Sequence, residues 1–232
     1  MIAIMQPYIF PKLSYWKLIN CVDTFVISDD AQYTKGGWIN KNRLLINKEI
    51  KNFSIPIKQD GHEKRINERF LAENWSRQKQ KLLFLIKENY KNTNNFAEIY
   101  FLIKKIFDYE NVSLSDFLVN SIIEINKYLN IDTKIIKSSS LNMSKEYKKE
   151  KKIIEICNVL SKKKYINAIG GQKIYNKDEF KKYDIELLFL NSNKRIINES
   201  FTTVNTDLSI LHVMMYVDKE TLLKELKNYE LI

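Results

Sequence analysis

The chain has 232 residues, of which 44% are hydrophobic and 12% aromatic, with a net charge of +10; this describes a globular chain able to bury a full core as a single α/β domain over 1–232. No apolar run approaches the roughly 20 residues of a membrane span. Residues 1–4 begin a strand with no basic, signal-like segment ahead of it, so a cytoplasmic location is expected.

In chain order, a first apolar strand covers Ile2–Met5 and breaks into Gln6-Pro7-Tyr8-Ile9-Phe10-Pro11. Leu13, Trp16, Leu18 and Ile19 space a short helix over 11–22, and Thr24–Ile27 is a second strand breaking into Ser28-Asp29-Asp30-Ala31-Gln32. The run Leu44-Leu45-Ile46 and the run 53–57 flank a polar turn over 47–52, which predicts a β-hairpin with Pro56 at an edge. Three apolar stripes follow. One runs through Trp75, Leu82, Leu83, Ile86 and Tyr90, one through Phe96, Ile99, Ile103 and Phe107, and one through Leu114, Phe117, Leu118, Ile122, Ile125 and Leu129. Together they predict a helical insertion over about 70–130, its third helix capped by Ser113.

The α/β alternation resumes with a strand over 133–137 that ends in Ser138-Ser139-Ser140, a helix over 144–161, and strands over 164–168 and 185–190. Two helices over 208–217 and 219–229 close the chain. Strands alternating with helices imply a three-layer, Rossmann-like fold with a mostly parallel sheet.

In such a sheet ligands bind beyond the carboxyl ends of the strands. The polar loop after the first strand and the cluster Asp29, Asp30, Gln32, Lys35, Trp38, Asn40, Asn42 and Arg43 after the second therefore define a candidate site. Adjacent carboxylates serve as a general base or hold a divalent cation against a diphosphate; a turn or helix cap is the plain alternative. Arg43 offers a planar fork for phosphate, or a surface ion pair. With only 5 Gly and 3 Pro in the chain, the pairs Gly36-Gly37 and Gly170-Gly171 read as shaped turns. Gly170-Gly171 lacks a full phosphate-cradle pattern.

His212, in an apolar helix, reads first as a core histidine and second as a base. Cys21 and Cys157 read as reduced core thiols without zinc-site neighbours, so no metal centre is expected. The densest basic run, 145–152, carries Glu146 and Glu150 at helical spacing, as a solvated face does, so anionic small molecules are better partners than nucleic acid.

The blocks Gln6-Pro-x-x-x-Pro11-x-x-x-Tyr15, Asp29-Asp30-x-Gln32-x-x-Lys35-x-x-Trp38-x-Asn40-x-Asn42-Arg43, Gly170-Gly171-x-x-x-Tyr175 and Leu208-Ser209-Ile210-Leu211 resemble the WbqC-like protein family over essentially the whole chain. Met5 and Ser14 stand where that family commonly has His and Gly, so an obligate catalytic histidine before Gln6 is not expected. The resemblance implies a role in bacterial surface-polysaccharide (O-antigen) biosynthesis. The leading expectation is a transferase moving an acyl or aminoacyl group from a thioester donor, on coenzyme A or an acyl carrier protein, to a nucleotide-linked amino sugar. In that scheme Asp29 or Asp30 is the base, Lys35, Asn40 and Asn42 supply oxyanion donors, and Arg43 grips diphosphate. Gln6, Pro7, Tyr8, Tyr15, Gln32, Trp38, Gly170, Gly171, Tyr175, Ser209 and His212 complete the substrate surface. A metal-dependent glycosyltransferase and a non-catalytic assembly factor of the same pathway are the alternatives.

Overall fold

The computed structural model describes residues 1–143, 149–192 and 204–232. Five parallel strands make up most of a six-stranded sheet: β1 (Ile2–Met5), β2 (Thr24–Ile27), β5 (Lys134–Lys137) at one edge, β6 (Lys164–Ala168) and β7 (Glu186–Asn191). A two-residue strand, β8 (Glu230–Leu231), closes one edge antiparallel to β7. The order is β5-β2-β1-β6-β7-β8. Central parallel strands are covered on both faces, which is why β1 and β2 read as unbroken apolar runs.

Alternate residues of those strands feed two different cores. Ala3, Phe25 and Ile27 join the layer containing α1 (Leu13–Asn20), α2 (Trp75–Tyr90), α3 (Phe96–Phe107), α4 (Leu114–Tyr128), α7 (Ile210–Tyr216) and α8 (Lys219–Leu226). Ile2, Ile4 and Val26 face α5 (Lys149–Val159) and α6 (Lys177–Lys181) through Ile153, Ile156, Cys157 and Phe180. The result is the three-layer α/β arrangement expected from the sequence. The predicted helix over 144–161 is seen from Lys149; its first residues, 144–148, lie outside the described residues, as does half of the basic run 145–152.

The hairpin β3 (Lys41–Ile46) and β4 (Glu49–Ser54) stands apart from the main sheet. Its turn is tighter than the polar stretch 47–52 suggests. Asn47 and Lys48 alone make it, at φ 51° and 65°, the paired left-handed conformation that matches hairpin twist. Pro56 lies just beyond the hairpin and accepts a hydrogen bond from the Ala72 amide at 3.0 Å.

Helices α2 to α4 share one continuous apolar cluster with α1 and the sheet. Ser113 caps α4 by accepting from the Asp116 amide. Helices α1 and α8 are joined by a buried ion pair, the Lys17 ammonium donating to Glu225 Oε1 at 2.5 Å and to the Asn228 carbonyl at 2.8 Å.

Candidate functional site at the carboxyl edge of the sheet

The loop after β1 enters α1 on one face of the sheet, whereas the loop after the adjacent β6 leads into α6 on the other. Two neighbouring loops that part in this way open a crevice at the strand ends, the usual ligand position in open α/β sheets. Gln6 is exposed just after β1 and Gly170 is exposed just after β6.

Beside them, the end of β2 is built around two carboxylates that face opposite layers. Asp29 is completely buried. Its oxygens accept from the Ser139 amide at 3.0 Å, the Ser139 hydroxyl at 2.6 Å and the Ser115 hydroxyl at 3.3 Å. Asp30 is partly open and accepts from the Lys152 ammonium of α5 at 2.6 Å. The Ser138 hydroxyl lies within hydrogen-bond distance of both carboxylates, in shortest contact with Asp30, and has one proton to give. Burial pushes the Asp30 carboxyl up, but the hydrogen bonds from Lys152 and Ser138 outweigh it and hold it below the ordinary carboxylate range. Asp29 therefore ties the β2 and β5 loops together, while Asp30 presents a negative charge at the edge. These donors are an ammonium, hydroxyls and an amide, a set that holds carboxylates in place and does not fit a divalent cation between them.

The loop over 33–43 is pinned at its base and open at its tip. Asn40 accepts from the Tyr33 hydroxyl at 2.8 Å and donates to the Ile55 carbonyl at 2.7 Å. Asn42 spends both amide protons on the carbonyls of Ile9 and Phe10, at 2.8 and 2.6 Å, and the Ile9 amide donates to the Ile39 carbonyl. The two asparagines thus fasten this loop to the loop after β1, and neither buried amide is turned outward as an oxyanion donor. Gly36, at φ 85°, makes the turn at the tip, where Lys35 and Trp38 are exposed. The Arg43 guanidinium lies 5.1 Å from the Trp38 ring centroid, and its Nη2 donates to the Asp207 carbonyl.

The remaining sequence-picked residues divide. Tyr15 donates to the Gln6 carbonyl at 3.2 Å and meets the Tyr8 ring edge-on at 5.3 Å, so both shape the first loop, with Pro7 buried behind them. Burial pushes the Tyr8 hydroxyl up to about 12, so it stays protonated. Gln32, exposed, donates to the His62 carbonyl at 3.3 Å. Gly171 packs so closely that an added Cβ would stand 2.9 Å from Asn167 Cγ, and Tyr175 packs against Tyr165 and Phe180. Ser209 is buried, caps α7 and donates its amide to the Arg43 carbonyl. His212 is buried against Tyr90 and Tyr216, and burial lowers its imidazole to about 4. Burial also pushes both cysteine thiols up, to about 12 for Cys157.

Sequence reasoning missed Lys152, Ser115, Ser138, Ser139 and Asn167. The three serines after β5 carried a signal, since they too follow a strand's carboxyl end; Lys152, 122 residues from its partner Asp30, carried none. Among the described residues no helix is long and apolar enough to cross a membrane.

A mostly parallel six-stranded sheet with helices on both faces defines the chain as a three-layer α/β protein. The WbqC-like protein family model matches residues 6–223, and the chain belongs to that family. It is 27% identical over 193 residues to the uncharacterized protein Rv1507c of Mycobacterium tuberculosis, the match covering 80% of each chain. No solved structure matches.

Proposed function

We propose that the protein is a transferase of bacterial surface-polysaccharide biosynthesis that acylates or aminoacylates a nucleotide-linked amino sugar in the crevice between β1 and β6. The observation that carries this reading is Asp30, a carboxylate kept ionised by Lys152 and Ser138 at the carboxyl edge of the sheet, together with the cations Lys35 and Arg43, which make no ion pair among the described residues. A fixed negative charge among positive ones suits a substrate that is itself both: an ammonium on the sugar and a diphosphate behind it.

In this reaction the amine nitrogen attacks the thioester carbonyl, the C–S bond breaks as the C–N bond forms, and the departing thiolate takes up a proton. The acceptor's ammonium first gives up its proton through Asp30 to water. A carboxyl held below its usual range is a weak base but a strong ammonium ligand, so Asp30 serves chiefly to place and orient the amine. Asp29, Asn40 and Asn42 act as positioning residues for the loops that carry Asp30, Lys35, Trp38 and Arg43. The donors around Asp29 and Asp30 give the metal-dependent glycosyltransferase reading no support.

The test is an end-point mass assay with uridine and thymidine diphospho-amino sugars and a panel of acyl and aminoacyl thioesters. A product heavier by one acyl group, formed by the wild type and lost in Asp30→Asn, is the expected result. Thioester-independent sugar transfer, or no turnover and no binding of any nucleotide sugar, would sink the proposal, the latter in favour of an assembly factor.

A further inference from the structure

The chain has three tryptophans, and two serve the core: Trp16 is fully buried and Trp75 is 9% exposed. Trp38 is 52% exposed, at the tip of a loop whose base is anything but loose. The contacts from Tyr33 to Asn40, Asn40 to Ile55 and Asn42 to Ile9 and Phe10 hold both ends. Within the tip the Gly37 amide donates to the Thr34 carbonyl and the Lys41 amide to the Trp38 carbonyl. An indole displayed in this way leaves a large apolar ring in water, a cost that core packing does not offset.

One neighbour of the ring is already chosen. Arg43 sits over it at 5.1 Å, held by the Asp207 carbonyl through Nη2, while its buried Nε has no hydrogen-bond partner among the described residues. Among the described residues Arg43 makes no ion pair; the Asp207 carboxylate is engaged instead by Lys12, at 3.1 Å. A guanidinium stacked on an aromatic keeps its charge and in-plane donors for an anion while the indole offers a surface to a second flat ring.

We propose that Trp38 and Arg43 form a nucleotide platform, the indole stacking the heterocyclic base and the guanidinium taking the adjoining phosphate. This rests on the reading given under Proposed function and deepens it, because it says which part of the ligand the 33–43 loop recognises. Recognition by stacking tolerates any base. The same chemistry is present in the acceptor, as a nucleoside diphosphate, and in a coenzyme A donor, as an adenosine phosphate.

The emission of the full-length wild type, Trp38→Ala and Trp38→Phe is followed as UDP, dTDP, ADP or coenzyme A is added, with affinities from calorimetry and melting temperatures alongside. The expected result is saturable quenching in the wild type, a loss of at least about tenfold in affinity in Trp38→Ala with an unchanged melting temperature, and affinity retained within a few-fold in Trp38→Phe. Response to UDP or dTDP supports the platform as the acceptor's site. Response to ADP and coenzyme A alone supports it as the donor's. Nucleotide binding of equal strength in wild type and Trp38→Ala overturns the platform and leaves the proposed transfer intact, whereas a wild type that binds none of the four overturns both.

Discussion

Asp29 and Asp30 are neighbours in sequence with opposite fates, because successive residues leaving a strand point to opposite faces. Asp29 follows Phe25 and Ile27 into the α4 side, where Ser115 and Ser139 take its oxygens; Asp30 turns to α5 and Lys152. Asp29→Asn places amide protons against donors and should cost about 2–3 kcal/mol. At about 2–4 °C per kcal/mol for a chain of this size, a melting temperature lower by more than about 4 °C is expected by scanning calorimetry. Asp30→Asn gives up the Lys152 ion pair at a partly open position and should lower the melting temperature by less than Asp29→Asn while losing turnover. The sequence marked this pair as special but not which member is structural, since the serines and Lys152 that decide it lie 85 or more positions away.

His212 shows the same limit from the other side. Its apolar helix favours a core role, and the structure adds the partner that tells how it behaves: the Tyr90 hydroxyl 3.1 Å from Nδ1, itself accepting from the Leu45 amide at 2.9 Å. The hydroxyl and Nδ1 share one hydrogen bond, and burial, by disfavouring the charged imidazolium, keeps the ring neutral. The folded imidazole titrates at about 4, against about 6.5 when unfolded. Between those values the unfolded chain binds more protons, so stability is full above pH 6.5 and falls as pH drops toward 4, by up to about 3 kcal/mol. Urea titrations at pH 7, 5.5 and 4.5 should show this loss, and His212→Gln, which keeps an acceptor for Tyr90, should remove most of it between pH 7 and 5.5.

At the scale of elements, the stripes and caps were readable because a helix repeats its core contacts every three or four residues. The strand ends Met5, Ile27, Lys137 and Ala168 were readable because each apolar run stops at a polar loop. Three things were not. β8 is two residues long, too short to show alternation, and exists only because β7 offers an open edge. The two-residue turn of the hairpin hid inside a polar stretch because Glu49, Lys51 and Asn52 of β4 face solvent. The joint between α1 and α8 also escaped notice: a lysine inside an apolar helical pattern reads as surface, yet Lys17 and Glu225 are each only 3% exposed. Lys17→Met strands a buried carboxylate and should cost about 3–5 kcal/mol, while Lys17→Met with Glu225→Met should recover most of it. Denaturant midpoints of the wild type and the two variants measure this directly; a double variant no better than the single would mean the pair contributes by shape alone.

Across the whole molecule, alternating strands and helices pointed to three layers and a parallel sheet, since helices packed on both sides of an open sheet bury both faces of such strands. Strand order was not legible, because pairing partners leave no mark on a single strand's pattern; the position of β6 beside β1, which opens the crevice, comes from the structure alone. The candidate residues were likewise found as a group and then sorted by the fold. Asn40, Asn42 and Ser209 hold loops, His212 belongs to the core, Lys35 and Trp38 are exposed, and Asp30 and Arg43 are half-buried.

The central claim is that Asp30 receives the amine of a nucleotide-linked sugar. Calorimetric titration of the wild type and Asp30→Asn with a uridine diphospho-sugar bearing a free amine, and with its N-acetylated counterpart, tests it most directly. A charge-assisted contact of about 1.5 kcal/mol corresponds to roughly tenfold. The account predicts that the wild type prefers the free amine by about that factor and that Asp30→Asn binds both alike. Equal affinity of the wild type for the two sugars, or a preference that survives in Asp30→Asn, would contradict it.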